Sequence, residues 1–175
     1  MNNKQVDILL SVYNPNEEYL IKQLISLNNQ TYPNLKLYIF DDCIKKRCNL
    51  DLFEKYITNF SYEVLPYCEE NLNYMGAFEK LVQRSDGEYI AFCDQDDIWY
   101  ENKIDKAVKT IRNKKGPILY CSDCEVINEK DVVIKETYQN KRPVITLESQ
   151  LVCGSMQGCS MLFNNELKKI IVKYK

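Results

Sequence analysis

Tyr89-Ile90-Ala91-Phe92-Cys93-Asp94-Gln95-Asp96-Asp97 joins an apolar run of strand length to a dense acidic patch. The apolar half reads as a buried strand, and the acidic half as the loop that leaves its carboxyl end. Carboxylates crowded at such a point repel one another unless a cation or donor groups neutralise them. A divalent metal bound by hard oxygen ligands is the economical explanation.

Outward from this stretch the chain alternates between two periods. Short β-rich runs lie at Val6 to Val12, Leu35 to Phe40, Tyr62 to Leu65 and Ile118 to Cys121. Helical faces fall between the strands: Leu20, Leu24 and Leu27; Phe53, Tyr56, Ile57 and Phe60; Phe78, Leu81 and Val82; Ile104, Ala107, Val108 and Ile111. Asn14-Pro15-Asn16, Tyr32-Pro33-Asn34, Asp86-Gly87 and Gly116-Pro117 punctuate the alternation. Strand followed by helix, repeated, predicts an α/β fold: a mostly parallel sheet with helices on both faces, because parallel strands need crossovers. Beyond residue 124 the alternation weakens. Val126-Ile127, Val132 to Ile134 and Met161 to Phe163 read as short strands, the last followed by a helix from Asn164 or Asn165.

At 175 residues, 45% hydrophobic and 27% charged, the chain is an ordinary globular sequence of one-domain size. A formal charge of -2 argues against a general polyanion binder, so nucleic acid is not an expected partner. No apolar run approaches the roughly 20 residues that span a bilayer, and the N-terminus runs straight into a strand, which predicts a cytoplasmic site. With no histidine in the chain, catalytic Ser-His and Cys-His machinery is excluded. The eight cysteines are dispersed and read as reduced thiols serving as small hydrophobes. Cys121 and Cys124 have a zinc-knuckle gap, but Cys153 and Cys159 are too widely spaced to complete it.

Parallel α/β sheets bind ligands at the carboxyl ends of their strands. Those ends carry Ser11-Val12-Tyr13-Asn14, Asp41-Asp42 and the Asp94 to Asp97 patch. Neither a dinucleotide glycine fingerprint nor a phosphate-cradling P-loop is present, so a metal would have to carry any phosphate charge. Aspartyl-nucleophile hydrolases and receiver domains place their acids after the first strand; here the pairs follow later strands. Taken singly, Tyr13 also reads as core packing and Asp41-Asp42 as a loop start or helix cap. Asn71 and Asn73 fit a turn that needs positive φ.

Ser11-Val12-Tyr13-Asn14, Asp41-Asp42, Asp86-Gly87-Glu88-Tyr89-Ile90 and Asp94-Gln95-Asp96-Asp97-Ile98-Trp99 together resemble family 2 glycosyltransferases of GT-A fold, and among them the rhamnosyltransferase-like branch with its D-Q-D-D-x-W signature. The resemblance implies a metal-dependent, inverting transfer from a UDP- or dTDP-sugar donor to a glycan or lipid-linked acceptor in surface polysaccharide synthesis. By that likeness Tyr13 packs near a pyrimidine, Asp42 accepts its N3-H, and Ser11 and Asp41 support the pocket. Asn71 falls near the sugar phosphate, Asp94 near ribose and sugar, and Asp94 and Asp96 bind Mn2+ or Mg2+. Asp97 either caps the helix beyond Trp99 or holds a ligand from behind. Peripheral association with the inner face of the membrane is a further implication. The second-strand acids are followed by Cys43 and Ile44 where relatives carry Gly and Ser. The family's general base is expected beyond Lys175, so the chain reads as a fragment of a longer enzyme, with a non-catalytic nucleotide-sugar-binding fragment as the alternative.

Overall fold

Strand β1 (Val6–Val12) is buried along almost its whole length and forms the middle of the sheet. It pairs in parallel with β2 (Leu35–Asp41) on one side and β4 (Tyr89–Cys93) on the other, and β2 carries β3 (Ser61–Val64) outside it. The computed structural model describes residues 3–136 and 156–174. Within them the main sheet has six strands in the order β3-β2-β1-β4-β8-β5, where β5 is Leu119–Cys121 and β8 is Met161–Asn164. A separate antiparallel hairpin is made by β6 (Glu125–Ile127) and β7 (Val133–Glu136).

Side chains alternate across a strand, so a strand buried on both faces feeds two cores. Ile8, Leu10 and Val12 of β1 pack with helices α1 (Glu17–Asn28), α2 (Asp51–Tyr56) and α4 (Lys103–Ile111), through Leu20, Leu24, Leu27, Phe53 and Ile104. Leu9, Tyr38, Phe40 and Ile90 face the opposite way, against Ala77, Leu81 and Val82 of α3 (Asn73–Arg84) and Leu167 of α5 (Asn165–Lys173). The expected α/β class with helices on both faces is what forms.

Two expectations change in detail. The face Phe53, Tyr56, Ile57, Phe60 implied a longer second helix, but α2 stops at Tyr56 and Ile57 is extended. The competing partner is Asn28: its Oδ1 accepts from the backbone N–H of Thr58 and Asn59 at 2.8 and 2.9 Å, drawing the segment onto the end of α1. The second change is β8, which enters antiparallel between β4 and β5.

The N-terminal edge of the sheet is fixed by buried Asp7, whose Oδ2 accepts from the backbone N–H of Asp86 and Gly87 at 2.8 and 2.7 Å. A Cβ on Gly87 would lie 2.6 Å from Asp7 Oδ1, so only glycine permits the turn to close onto the carboxylate. This contact aligns the entry of β4 with β1. The resulting register sets Leu10 opposite Cys93 and Val12 opposite Asp41, which levels the three carboxyl ends.

Candidate functional site

The levelled strand ends open into a cleft of about 450 Å³ lined by Ser11, Tyr13, Asp42, Asn71, Asn73, Tyr74, Phe78, Asp94, Gln95 and Asp96. Of the residues expected from sequence, Ser11, Tyr13, Asp42, Asn71, Asp94 and Asp96 converge here. Asp41 does not line it. Neighbouring residues at the end of an extended strand point in opposite directions, and the two aspartates divide accordingly. Asp41 is fully buried; its Oδ1 accepts from the backbone N–H of Cys43 and its Oδ2 from that of Cys48, at 2.9 and 2.8 Å. Arg47 in the same loop donates to the Asp41 carbonyl at 2.9 Å and stacks 4.0 Å over the Tyr67 ring. Asp41 thus shapes the loop beside the cleft.

Asp42 turns the other way. Its Oδ2 accepts from Asn71 Nδ2 at 2.7 Å and its Oδ1 from the Leu72 backbone N–H at 2.8 Å. Asn71 in turn accepts from the backbone N–H of Asn73, which adopts φ 58° at the start of α3. The turn expected of these asparagines is therefore present, and Asn71 also faces the cleft. Tyr13 is 57% exposed, which removes the core-packing alternative for its ring. Its main chain is held by Gln95, which accepts from Tyr13 N at 2.8 Å and donates to Tyr13 O at 3.3 Å.

Behind the acidic run lies a second layer contributed by distant parts of the chain. The carboxylates of Asp94 and Asp97 and the thiol of Cys159 present ligand atoms within 4.8 Å of one another. Asp96 is exposed and sits on the wall of the cleft rather than in this group. Burial pushes Asp94 above the usual carboxylate range, and the Asp97 and Asp96 charges push the same way; the Cys159 thiol and Lys103 oppose them. Lys103 Nζ donates to the Cys159 carbonyl at 2.6 Å and rests 3.9 Å over the Trp99 ring. Burial lowers its pKa, while Cys93, Cys159, Asp97 and Asp94 raise it. The acidic run therefore has an internal counter-charge that sequence reading missed.

Hard carboxylate oxygens suit Mn2+ or Mg2+, and their mutual repulsion is the kind a divalent cation relieves. The residues fit such an ion, with Asp94 the member common to both groupings. Asp97 does not cap α4, whose cap position is Asn102 and makes no side-chain cap bond. Cys121 and Cys124 stand apart from any metal-sized grouping among the described residues: Cys121 contacts Met156 and Cys124 donates to Gln157 at 2.9 Å. Cys153 lies outside the described residues.

Gln95 and Cys159 were named in the sequence, within the acidic run and among the cysteines, but without these roles, and Lys103 was not named. Gln95 had a signal, since an amide inside an acidic run can both donate and accept. Lys103 and Cys159 had none, being brought to the site by a helix start and by β8.

An α/β domain with this sheet and a cleft at its carboxyl edge has the architecture of GT-A glycosyltransferases. The solved structure of S. aureus TarS 1-349 in complex with UDP-GlcNAc matches it with a TM-score of 0.73 at 19% identity, covering 95% of this chain and 47% of that one. The mannosyltransferase PcManGT from Pyrobaculum calidifontis, in complex with GDP-Man and Mn2+, matches with a TM-score of 0.64 at 15% identity, covering 97% and 47%. These likenesses establish the shared fold. The chain belongs to glycosyl transferase family 2, whose family model matches residues 7–169.

Among curated relatives, the putative teichuronic acid biosynthesis glycosyltransferase TuaG of Bacillus subtilis is 30% identical over 104 residues, 59% of this chain and 40% of that protein. The Escherichia coli UDP-Glc:alpha-D-GlcNAc-diphosphoundecaprenol beta-1,3-glucosyltransferase WfgD is 26% identical over 135 residues, 77% of this chain and 51% of that protein. An uncharacterised glycosyltransferase of Rickettsia typhi is 26% identical over 173 residues, 95% and 52%. The chain spans about half the length of the curated relatives it matches. Among the described residues, no helix is long and apolar enough to cross a membrane.

Proposed function

We propose that the cleft at the carboxyl ends of β1, β2 and β4 binds a UDP- or dTDP-sugar and that the protein transfers its sugar, with inversion, to a glycan or lipid-linked acceptor in surface polysaccharide synthesis. One observation carries the reading: six residues expected from sequence to hold the donor or its metal line one cleft, although they come from four separate stretches of chain. The rhamnosyltransferase-like branch rests on the Asp94 to Trp99 signature alone.

Tyr13, Tyr74 and Phe78 supply aromatic surface for the base. Asp42 is the base reader. Each of its oxygens already accepts one N–H but has a second lone pair, and a carboxylate fixed by two donors is an oriented acceptor for a uracil or thymine N3-H. Cytosine has no N3-H and is rejected. Asn71 is positioned for the sugar phosphate, Asp94 for the ribose and sugar, and Ser11 for the pocket floor. Asp41 is a positioning residue acting through the Cys43 to Cys48 loop.

Asp94 and Asp96 would hold Mn2+ or Mg2+, with Asp97 behind them. When bound, the ion supplies positive charge to the diphosphate as it departs. In the transfer, an acceptor hydroxyl forms a bond to the anomeric carbon. The bond to the β-phosphate oxygen breaks, the nucleoside diphosphate leaves with the electron pair, and the hydroxyl proton passes to a carboxylate base. WfgD carries a diphosphoundecaprenol acceptor in its name, in keeping with work at the inner face of the membrane.

The test is calorimetric titration of UDP, dTDP, CDP and pyrophosphate, each with and without Mn2+, followed by an assay of donor turnover. Metal-dependent binding of UDP or dTDP in preference to CDP is the expected result. Binding without turnover in any acceptor mixture would favour a non-catalytic nucleotide-sugar-binding role. Absence of nucleotide binding overturns the reading.

A further inference from the structure

A second cleft, about 590 Å³, lies on the other side of Asp96. Its walls are α1, through Tyr19 and Lys22, the loop residue Ile98, and the turn of the β6–β7 hairpin from Ile127 to Asp131. Asp96 lines both clefts, so they meet along one side chain. The volume falls within the roughly 300–1,000 Å³ usual for small-molecule sites.

The hairpin wall is built and fastened. Asn128 Oδ1 accepts from the backbone N–H of Lys130 and Val132 at 2.9 and 3.1 Å, and Asp131 adopts φ 58° to close the turn. Lys22 Nζ lies 2.8 Å from both carboxylate oxygens of Asp131, tying the turn to α1. At the foot of the hairpin, Tyr100 hydrogen-bonds to Glu125, and Cys124 bonds to Gln157. A turn held to a helix on one side and to the sheet loops on the other keeps its cleft open to a ligand without first having to order itself.

The lining indicates what enters. Asp96, Glu129 and Asp131 are carboxylates; Lys22 and Lys130 are amines. The balance of -1 does not favour a second pyrophosphate. Tyr19 and Ile98 offer half-exposed apolar faces beside these hydrogen-bonding groups. Apolar faces flanked by a few fixed polar groups suit an uncharged polyol ring, which has apolar faces and hydroxyls at its edge.

We propose that this cleft seats the terminal sugar of the acceptor, with Tyr19 and Ile98 against the ring and Asn128, Glu129 and Lys130 at its hydroxyls. The assignment rests on the donor reading of the neighbouring cleft for its role, although not for its ability to bind a saccharide. Asp96 is the shared wall across which the two substrates meet.

The experiment is amide and side-chain NMR of the isotope-labelled chain, titrated with chitobiose, cellobiose and maltose before and after saturation with UDP and Mn2+. At least one disaccharide is expected to shift Tyr19, Ile98 and Asn128 signals and to remain bound when UDP is added. Tyr19→Ala and Glu129→Gln, both surface changes, should each weaken that disaccharide by roughly threefold to tenfold, with UDP shifts retained. Competition by UDP, shifts confined to other surfaces, or no shifts with any of the three disaccharides would overturn the inference. Loss of UDP binding with the disaccharide shifts intact would instead fail the donor reading alone.

Discussion

Asn71 Nδ2 lies 2.7 Å from Asp42 Oδ2 and 3.0 Å from the Asp42 carbonyl, so one amide holds both the carboxylate and the main chain of the residue that follows β2. The pair joins the β2 edge of the cleft to the turn that starts α3. Whatever binds at Asp42 meets a carboxylate whose orientation is already set.

Asp42→Asn tests that fixed orientation. The amide cannot accept from Asn71 and Leu72 and also from a base with two charged oxygens, so uridine discrimination should fall more than diphosphate affinity. A stability loss of about 1–3 kcal/mol is expected from the buried bonds disturbed. Parallel titrations of UDP, CDP and pyrophosphate with a urea melt check it; equal losses for UDP and pyrophosphate count against base reading.

Asp96→Asn keeps shape and removes charge at an exposed site, so folding should be nearly unchanged while Mn2+-dependent nucleotide binding is lost. Asp97→Asn is the companion variant. Since Asp97 is the carboxylate grouped with Asp94 and Cys159, an unchanged Mn2+ affinity in Asp96→Asn and a lost one in Asp97→Asn would move the ion inward. Calorimetry with Mn2+ and UDP decides between them.

Gly87→Ala forces a Cβ to within 2.6 Å of Asp7 Oδ1 and 2.8 Å of its Cγ. Neither a buried carboxylate nor the turn backbone can give way easily, so a destabilisation of about 1–3 kcal/mol is expected. The midpoint of urea denaturation reports it. A midpoint equal to wild type would mean that the turn closes by some other contact.

Cys48 gives the pH dependence. Burial first, then the Asp41 and Glu17 charges, raise its thiol from 9.0 to about 11. The unfolded chain ionises first, so the folded state binds the extra proton across that window. This contribution to stability is full below pH 9.0, declines as pH rises toward about 11 and is lost above. Alkylation of Cys48 at neutral pH should accordingly be slow, and Asp41→Asn, which leaves one acceptor for the backbone N–H groups of Cys43 and Cys48 and removes a charge that raises the thiol, should speed it. Site-resolved mass spectrometry of iodoacetamide labelling measures both rates.

The strands that carry the site were legible because burial on both faces writes itself as an unbroken apolar run. Val6–Val12 and Tyr89–Cys93 were bounded to the residue, and Leu35–Asp41 to within one. Helix α2 was overread because side-chain capture by Asn28, a contact across some thirty residues, overrides a helical face that looks continuous. The place of Met161–Asn164 in the sheet had no local signature, since strand order depends on which edge is free when the strand arrives. For the same reason the acidic run was legible but its counter-charge was not. Lys103 looks like any lysine opening an amphipathic helix, and Cys159 like any small apolar residue before a strand. Asp41 and Asp42 show the limit most sharply: two identical neighbours were read as one pocket, and the pleat sends them to different tasks.

Because β8 slots between β4 and β5, a ribosome that has released only the first four strands has made a sheet with a raw flank at Tyr89–Cys93. The thiol of Cys159 and the carbonyl that receives Lys103 emerge just ahead of that late strand. Sealing the flank and furnishing the acidic rim are therefore one event in the life of the nascent polypeptide, and a chain interrupted before Met161 is left both adhesive and without a finished rim.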